Sequence, residues 1–411
     1  MDLSLLEILR CPFCGTRLDL VENDALDRDD ARVRWGVLGC QCCAFPIIDG
    51  IPVLVADDTA RRAMHTLEAG DRDGARAVML GLYGAATAAL ATLLAQTPPP
   101  TYRALLEVIS PDAESTYFVY RFSDATFVMA ESILGAIGAD RRHTARVIDL
   151  CGGSGHLART LAAVSPTSPV VADLYFHKLW LAQRLVSPGC TAVCCDANHP
   201  LPFSSSTFSM VVLSDAFPYI WHKRLLAGEM MRLAGPDGLV VMPHLHSSLG
   251  FNFSAGMTLT PEAYRDLYAP LAPRLFRDSD LVDDVLDRGT IDLSRRTSIE
   301  AIGDEPSVTL VASRDDGVFR QYPVPAAGPV AGELRVNPLY RVDQQGGSAE
   351  LTLTFPTPEY EEEFGAVRRY LPDTLRLDAD LRGPLQAGMF GEAFPDLRRR
   401  RVLIDAPLRY F

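Results

Sequence analysis

Between Val147 and His246 the chain repeats one pattern. Short, nearly continuous apolar runs, "VIDL", "PVVAD", "AVCCD", "FSMVVLS" and "LVVMPHLH", alternate with turns and helical stretches. Runs of this length without polar alternation suit strands buried on both faces, and their spacing suits an α/β fold with a parallel sheet. Upstream, residues 57–95 read as one or two helices. Ala77 to Gln96 carries no charge and is about the length of a bilayer span. Met79, Leu82, Tyr83, Ala86, Leu90, Leu93 and Leu94 share one helical stripe, however, which predicts a buried helix and no membrane span. The run "TPPP" at 97–100 breaks the pattern. Residues 101–140 read as helical, with Tyr117, Phe118, Tyr120, Phe122 and Phe127 close together. Those rings either pack a core or form a lid over a ligand pocket. Downstream, 261–300 reads as helical and acidic, 305–355 as strands with frequent turns, and Glu359 to Tyr370 as a helix.

A chain of 411 residues has room for two or three domains. Its formal net charge of −13 makes it a poor generic binder of polyanions, because phosphate contacts need Lys and Arg. The only lysines are Lys178 and Lys223. The run Arg398 to Arg401 could meet an anionic ligand, although a solvated turn is the plainer reading. The first residues have neither a basic n-region nor a long apolar h-region, so no signal peptide is expected. Cysteine spacing points to a reducing compartment, and the expected location is cytoplasmic.

Four of the nine cysteines have metal-ligand spacing. Cys11-Pro-Phe-Cys14 and Cys40-Gln-Cys-Cys43 are two C-x-x-C knuckles. Four thiolates suit tetrahedral zinc and leave no open position, so the expected role is structural. The x-x spacing selects Cys40 and Cys43 and leaves Cys42 outside. The flanks "LLEILRCPFC" and "CAFPIIDGIPVLV" resemble the small zinc-ribbon activator subunit of tRNA and rRNA methyltransferases, over roughly residues 2 to 56. In that family the free-standing module binds and stabilises a methyltransferase; the resemblance implies one fused here.

The turn after "VIDL" carries the next signal. Gly153-x-Gly155-x-x-Ala158 fits the dinucleotide fingerprint. Asp149-Leu-Cys-Gly-Gly-Ser-Gly155 also resembles the first motif of S-adenosylmethionine (SAM) methyltransferases. The resemblance extends over about 145 to 246. It implies that Asp149 orders the turn formed by Gly152, Gly153 and Gly155. It also implies that Asp173, with Leu174, accepts the ribose hydroxyls, and that Asp196, with Ala197, takes the adenine amino group. Ser214 completes the cofactor set. All three acids sit at or just after the carboxyl ends of strands, where open α/β sheets bind ligands. Cys151, Cys194 and Cys195 are read as inert.

Catalytic candidates lie past the fourth and fifth strands. His244 is the first choice for a base, then Asp215 and His222, with Tyr219 and His246 nearby. His244 and His246 alternate along an extended segment, so both reach one site only if the chain turns. A metal at this His-x-His would need a third ligand that the sequence does not reveal. Ser214-Asp-Ala-Phe217 stands where amine-directed RNA methyltransferases often carry N-P-P-Y.

The expected architecture is a zinc ribbon (1–56), a helical linker or lid (57–140), a Rossmann-like seven-stranded methyltransferase core (141–255) and an α+β accessory domain for substrate or dimerisation (256–411). The expected activity is SAM-dependent O- or C-methylation of a small molecule. An RNA acceptor and a non-catalytic scaffold are the alternatives. Nucleic acid is an unfavoured partner, and a homo-oligomer is compatible with the sequence.

Overall fold

The computed structural model describes residues 1–111, 113–140, 142–251, 256–325, 328 and 330–411, with backbone only for 113–115. At its centre is a sheet of seven strands: β1 (Val147–Leu150), β2 (Val170–Asp173), β3 (Thr191–Cys194), β4 (Met210–Leu213), β5 (Leu239–His246), β6 (Pro273–Arg277) and β7 (Ser307–Ala312). Their order is β6-β7-β5-β4-β1-β2-β3. The first five are parallel, and β7 pairs antiparallel with both β5 and β6. Strands β1, β2 and β4 are buried at every position, as their unbroken apolar character requires. Alternate residues feed two cores: Val147, Val171 and Val212 pack on one side, and Ile148, Val170 and Val211 on the other.

The sheet does not end where the sequence pattern suggested. Its sixth and seventh strands lie beyond residue 255, in the segment expected to be accessory. Pro273–Arg277 was read as helix; it forms a strand because it pairs along its whole length with β7. Likewise Asp57 to Ala95 forms three helices, Asp58–Glu68, Arg72–Met79 and Ala85–Leu94. Gly81 and Gly84, both at positive φ, break the apolar stripe, and Tyr83 ends up exposed. No single helix among the described residues is long and apolar enough to cross a membrane.

Five helices flank the sheet or its approaches: α1 (Ala113–Tyr120), α2 (Ala125–Ala139), α3 (His156–Val164), α4 (Phe176–Leu181) and α5 (Lys223–Ala234). A sixth, α6 (Pro358–Phe364), comes from the C-terminal region. There a three-stranded sheet of Tyr340–Gln345, Ser348–Leu353 and Thr374–Leu377 builds its own core around Leu339, Leu351, Val367 and Val402. The chain end returns to the centre. Tyr410 stacks on Tyr102 at 4.7 Å, donates to the Phe118 carbonyl at 2.6 Å and lies 2.7 Å from His156 Nε2.

The N-terminal module is a small antiparallel sheet that extends the central one. Val53 bridges Cys194 in parallel, and the Leu54 amide donates to the Cys194 carbonyl at 2.7 Å. The free edge of β3 is thereby covered. Arg10 and Ser204 exchange backbone bonds with Pro202 and Ile8 on the same seam. Asp49 locks the junction. Its buried carboxylate takes hydrogen bonds from Arg76, from Trp180 on α4 and from Arg184. Burial alone would raise its pKa, but Arg76, Trp180 and Arg184 together hold it below the usual carboxylate range.

The arginine run 398–401 is engaged by partners within the chain, with Arg399 exposed. Arg398 donates to the Gly328 carbonyl, Arg399 to that of Leu286, Arg400 to that of Tyr370, and Arg401 pairs with Glu131.

Candidate active site

A cavity of about 870 Å³ opens at the carboxyl ends of β1, β2, β4 and β5. That is the position the topology favours for a ligand, because the connections diverge there. One half is lined by the glycine turn with Asp149, Asp173, Leu174, Asp196, Ala197 and Ser214. The other holds Asp215, His244 and His246.

The glycine turn is tight for a physical reason. A Cβ on Gly152 would lie 2.6 Å from the Asp149 carboxylate, and Gly153 and Gly155 have φ of 53° and 78°. Gly155 then starts α3. Asp173 holds the turn from the next strand, accepting from the Gly153 amide at 2.9 Å and from the Tyr175 amide at 2.8 Å. Asp149 is buried with one carboxylate oxygen lacking any partner. Burial, reinforced by the nearby Asp173 charge, pushes its pKa up to about 7. Ser214 Oγ is also buried and unpaired. Asp196 accepts from the amide and side chain of Asn198. Two orphaned polar atoms in one wall fit a polar ligand that supplies their partners.

Both histidines of "PHLH" face the cavity because β5 bulges. Pro243 has no N–H to give the ladder, and the register with β7 slips between Met242 and Leu245. His244 adopts φ 60°, and the turn that the sequence required is present. The rings sit 4.8 Å apart. His246 Nε2 is 2.9 Å from Asp215, and His244 Nδ1 is 2.9 Å from Asp278. Thr309, opposite the bulge, donates to Asp278 at 2.7 Å, and Tyr117 donates to Asp215 at 3.3 Å. Burial would lower the pKa of His244, but the Asp278 hydrogen bond and the Asp215 charge outweigh it and push it up to about 9. At neutral pH it is an imidazolium, which removes it as a ready base. Burial would raise Asp215, but His246, His244 and Arg121 hold it well below the usual carboxylate range.

His222 stands apart. It is exposed at the start of α5, its Nδ1 2.9 Å from the Asn198 carbonyl, and does not line the cavity. Tyr219 is exposed at the rim. The aromatic cluster divides: Tyr117 and Phe118 roof the cavity, while Phe122 and Phe127 are core. Phe364 of α6 meets Tyr117 with ring centres 5.9 Å apart, so the roof has two sources.

Sequence reasoning missed Arg121, Lys178, Asp278 and Glu363. Lys178 had a signal, as one of two lysines. It is buried, with Nζ 4.4 Å from the Tyr175 ring centre and 5.0 Å from that of Phe118. Asp278 and Glu363 had none. They arrive from β6–β7 and α6, far along the chain. Cys194 and Cys195 are buried, and burial raises their thiol pKa values, as expected of inert strand cysteines.

In the N-terminal module, four thiols converge: Cys11, Cys14, Cys40 and Cys42. The Sγ separations are 3.7 Å for Cys11–Cys42, 3.7 Å for Cys14–Cys40 and 3.5 Å for Cys40–Cys42. A tetrahedral zinc with four thiolates needs about 3.8 Å between sulfurs. The fourth member is Cys42, where the C-x-x-C spacing selected Cys43. Cys43 stands beside this group, its Sγ 3.4 Å from that of Cys42, where the strand pairing of Gly39 with Ala44 closes the hairpin.

Comparison with known proteins adds to this geometry. Residues 147–238 match the model of a methyltransferase domain family. A ubiquinone/menaquinone biosynthesis C-methyltransferase of Ralstonia nicotianae is 33% identical over 102 residues, 24% of this chain and 42% of that protein. The chain therefore spans less than half the length of this relative. A UPF0434 protein of Mannheimia succiniciproducens is 38% identical over 63 residues, 15% of this chain and 88% of that protein. Among solved structures, a SAM-dependent methyltransferase of Aquifex aeolicus has a TM-score of 0.33 at 11% identity, covering 48% of this chain and 97% of that one.

Proposed function

We propose a function for a chain that is a methyltransferase through residues 147–238 and belongs, by a 63-residue match, to the UPF0434 family. It transfers a methyl group from SAM to a small-molecule acceptor, most simply at oxygen, and its N-terminal module carries a structural zinc. The single observation behind this reading is the undivided cavity. It joins the Asp149–Asp173–Asp196 wall to the Asp215–His244–His246 wall under the rings of Tyr117, Phe118 and Phe364.

In this reading Asp173 takes the ribose hydroxyls and Asp196 the adenine amino group. The orphaned Asp149 oxygen meets the cationic methionine end. The SAM sulfonium supplies the methyl group. As its S–CH₃ bond breaks and the acceptor's O–CH₃ bond forms, sulfur becomes a neutral thioether. The hydroxyl proton leaves to a basic group of the cavity wall, where Glu363 and His246 stand. The aromatic roof orients the acceptor and excludes water. A roofed cavity and a net charge of −13 favour a small acceptor over RNA. The thiol cluster of Cys11, Cys14, Cys40 and Cys42 supports zinc by donor type and spacing, and we assign the UPF0434 match to this module.

The test is native mass spectrometry with and without SAM, followed by transfer of labelled methyl to a panel of small phenols and hydroxy acids and to total RNA. The expected result is one bound cofactor, lost in Asp173→Ala, and label in the small-molecule fraction. Label in RNA alone, or no cofactor adduct, would overturn the reading.

A further inference from the structure

We propose that Asp215, His244 and His246 form a site for a divalent transition metal in the wall of the acceptor cavity, and that the acceptor chelates this metal through two neighbouring oxygens. The second half rests on the reading of the cavity given above; the first half does not.

One ligand atom from each of the three residues lies within 4.8 Å of those of the other two. Two imidazoles and a carboxylate are a donor set for zinc, iron, nickel or cobalt, and three protein ligands leave positions open. The surroundings have the form that metal-binding histidines require. Asp278 sits 2.9 Å from His244 Nδ1 and is itself fixed by Thr309, which orients the ring and leaves Nε2 as the nitrogen that gives up its proton to a metal. His246 presents Nε2, which lies 2.9 Å from the Asp215 carboxylate, close to the separation of two ligand atoms on one metal ion.

The backbone adds an independent observation. Asp215 and His244 are both non-glycine residues at positive φ, 65° and 60°. Strain of this kind costs about 1–3 kcal/mol per residue and persists where the surroundings demand a particular side-chain direction. Here it turns two ligands from two strands onto one point, with the Asp215 amide tied back to the Pro243 carbonyl.

The site differs in kind from the thiol cluster of the N-terminal module. Nitrogen and oxygen donors replace sulfur, and the open positions face a cavity with room for a ligand. A metal there supplies Lewis acidity toward oxygen. It therefore selects acceptors that offer a second oxygen beside the hydroxyl to be methylated, such as a catechol or an α-hydroxy acid. With both histidines engaged, Glu363 is the remaining basic group of the wall.

The experiment adds Co²⁺ to the purified full-length chain, with metal counted by inductively coupled plasma mass spectrometry and the site read by visible absorption. The expected result is one cobalt with weak ligand-field bands and no thiolate charge-transfer band, in addition to the zinc already present. His246→Gln, His244→Asn and Asp215→Asn each weaken that cobalt by at least about tenfold and leave the zinc in place, which also reports an intact module. Cys42→Ser keeps the cobalt. Catechol shifts the ligand-field bands and phenol does not. Absence of cobalt beyond the thiol site, or cobalt that persists in all three variants, overturns the metal site. Identical responses to catechol and phenol overturn the acceptor class. Cofactor binding is measured on the same samples. A chain that binds SAM but no second metal refutes only this inference, and one that binds the metal but no SAM refutes only the proposed function.

Discussion

Asp149 carries the sharpest residue-scale consequence. Its carboxyl is raised to about 7 in the fold and returns to an ordinary value in the unfolded chain. The folded state therefore holds a proton that the unfolded state has lost between about pH 4 and pH 7. Stability of the cofactor-free chain falls as pH rises through that window. Asp149→Asn removes this contribution. The expected gain at pH 8 is up to about 4 kcal/mol and near zero at pH 4, read from urea midpoints at the two pH values. A pH-independent difference would mean that the carboxyl is not the origin. Cysteine identity is equally direct. Cys42→Ser is expected to lose the bound zinc of the module, while Cys43→Ser keeps it, measured by zinc content after gel filtration. The opposite pattern would restore the pairing that the C-x-x-C spacing implies.

Between elements, the seam of the N-terminal module with β3 and α4 hangs on few bonds. Asp49 answers three donors from a linker helix, α4 and the turn that follows it, and is nearly inaccessible. Asp49→Ala leaves the Trp180 N–H without its acceptor in a buried junction and leaves Arg76 only its exposed partner Asp73. The expected loss is about 2–4 kcal/mol of stability, measured by chemical denaturation. Cofactor affinity should change little, because Asp49 is not part of the cavity wall. Leu54→Pro deletes the amide that bonds Cys194 and should cost about 1–3 kcal/mol. If both variants denature like the parent, the seam is not a stability element.

At the scale of the whole molecule, the module and the central sheet share their cores. Leu9, Cys11 and Phe45 pack with Ile148, Val211 and Leu213, and Ile48 and Val53 join the core of the opposite face. Removing zinc should therefore lower the melting temperature of the entire chain rather than melt the module alone. Chelation under reducing conditions, followed by calorimetry, is expected to give a single transition shifted down by several degrees. Two separated transitions would mean that the halves fold independently.

The same long-range packing divides what the sequence determined from what the tertiary structure decided. The sequence alone determined the parallel strands, the glycine turn and the three acids at or just after the carboxyl ends of β1, β2 and β3. All of these are local patterns: apolar runs, a turn that tolerates only glycine, and polar residues at strand ends. It also located the aromatic roof and the thiol cluster. Only the tertiary structure decided that β6 and β7 complete the sheet, since a strand bordered by helical residues earns its state from its partner. It brought Cys42 into the thiol cluster beside Cys43, because hairpin register as well as spacing aims a side chain. It took His222 out of the site, since a residue at the start of α5 is tied to the Asn198 carbonyl. It joined His246 to His244 through a proline bulge. Asp278 and Glu363 entered the site from segments with no motif of their own, because residues that meet only through non-local packing leave no mark at fixed spacing along the chain.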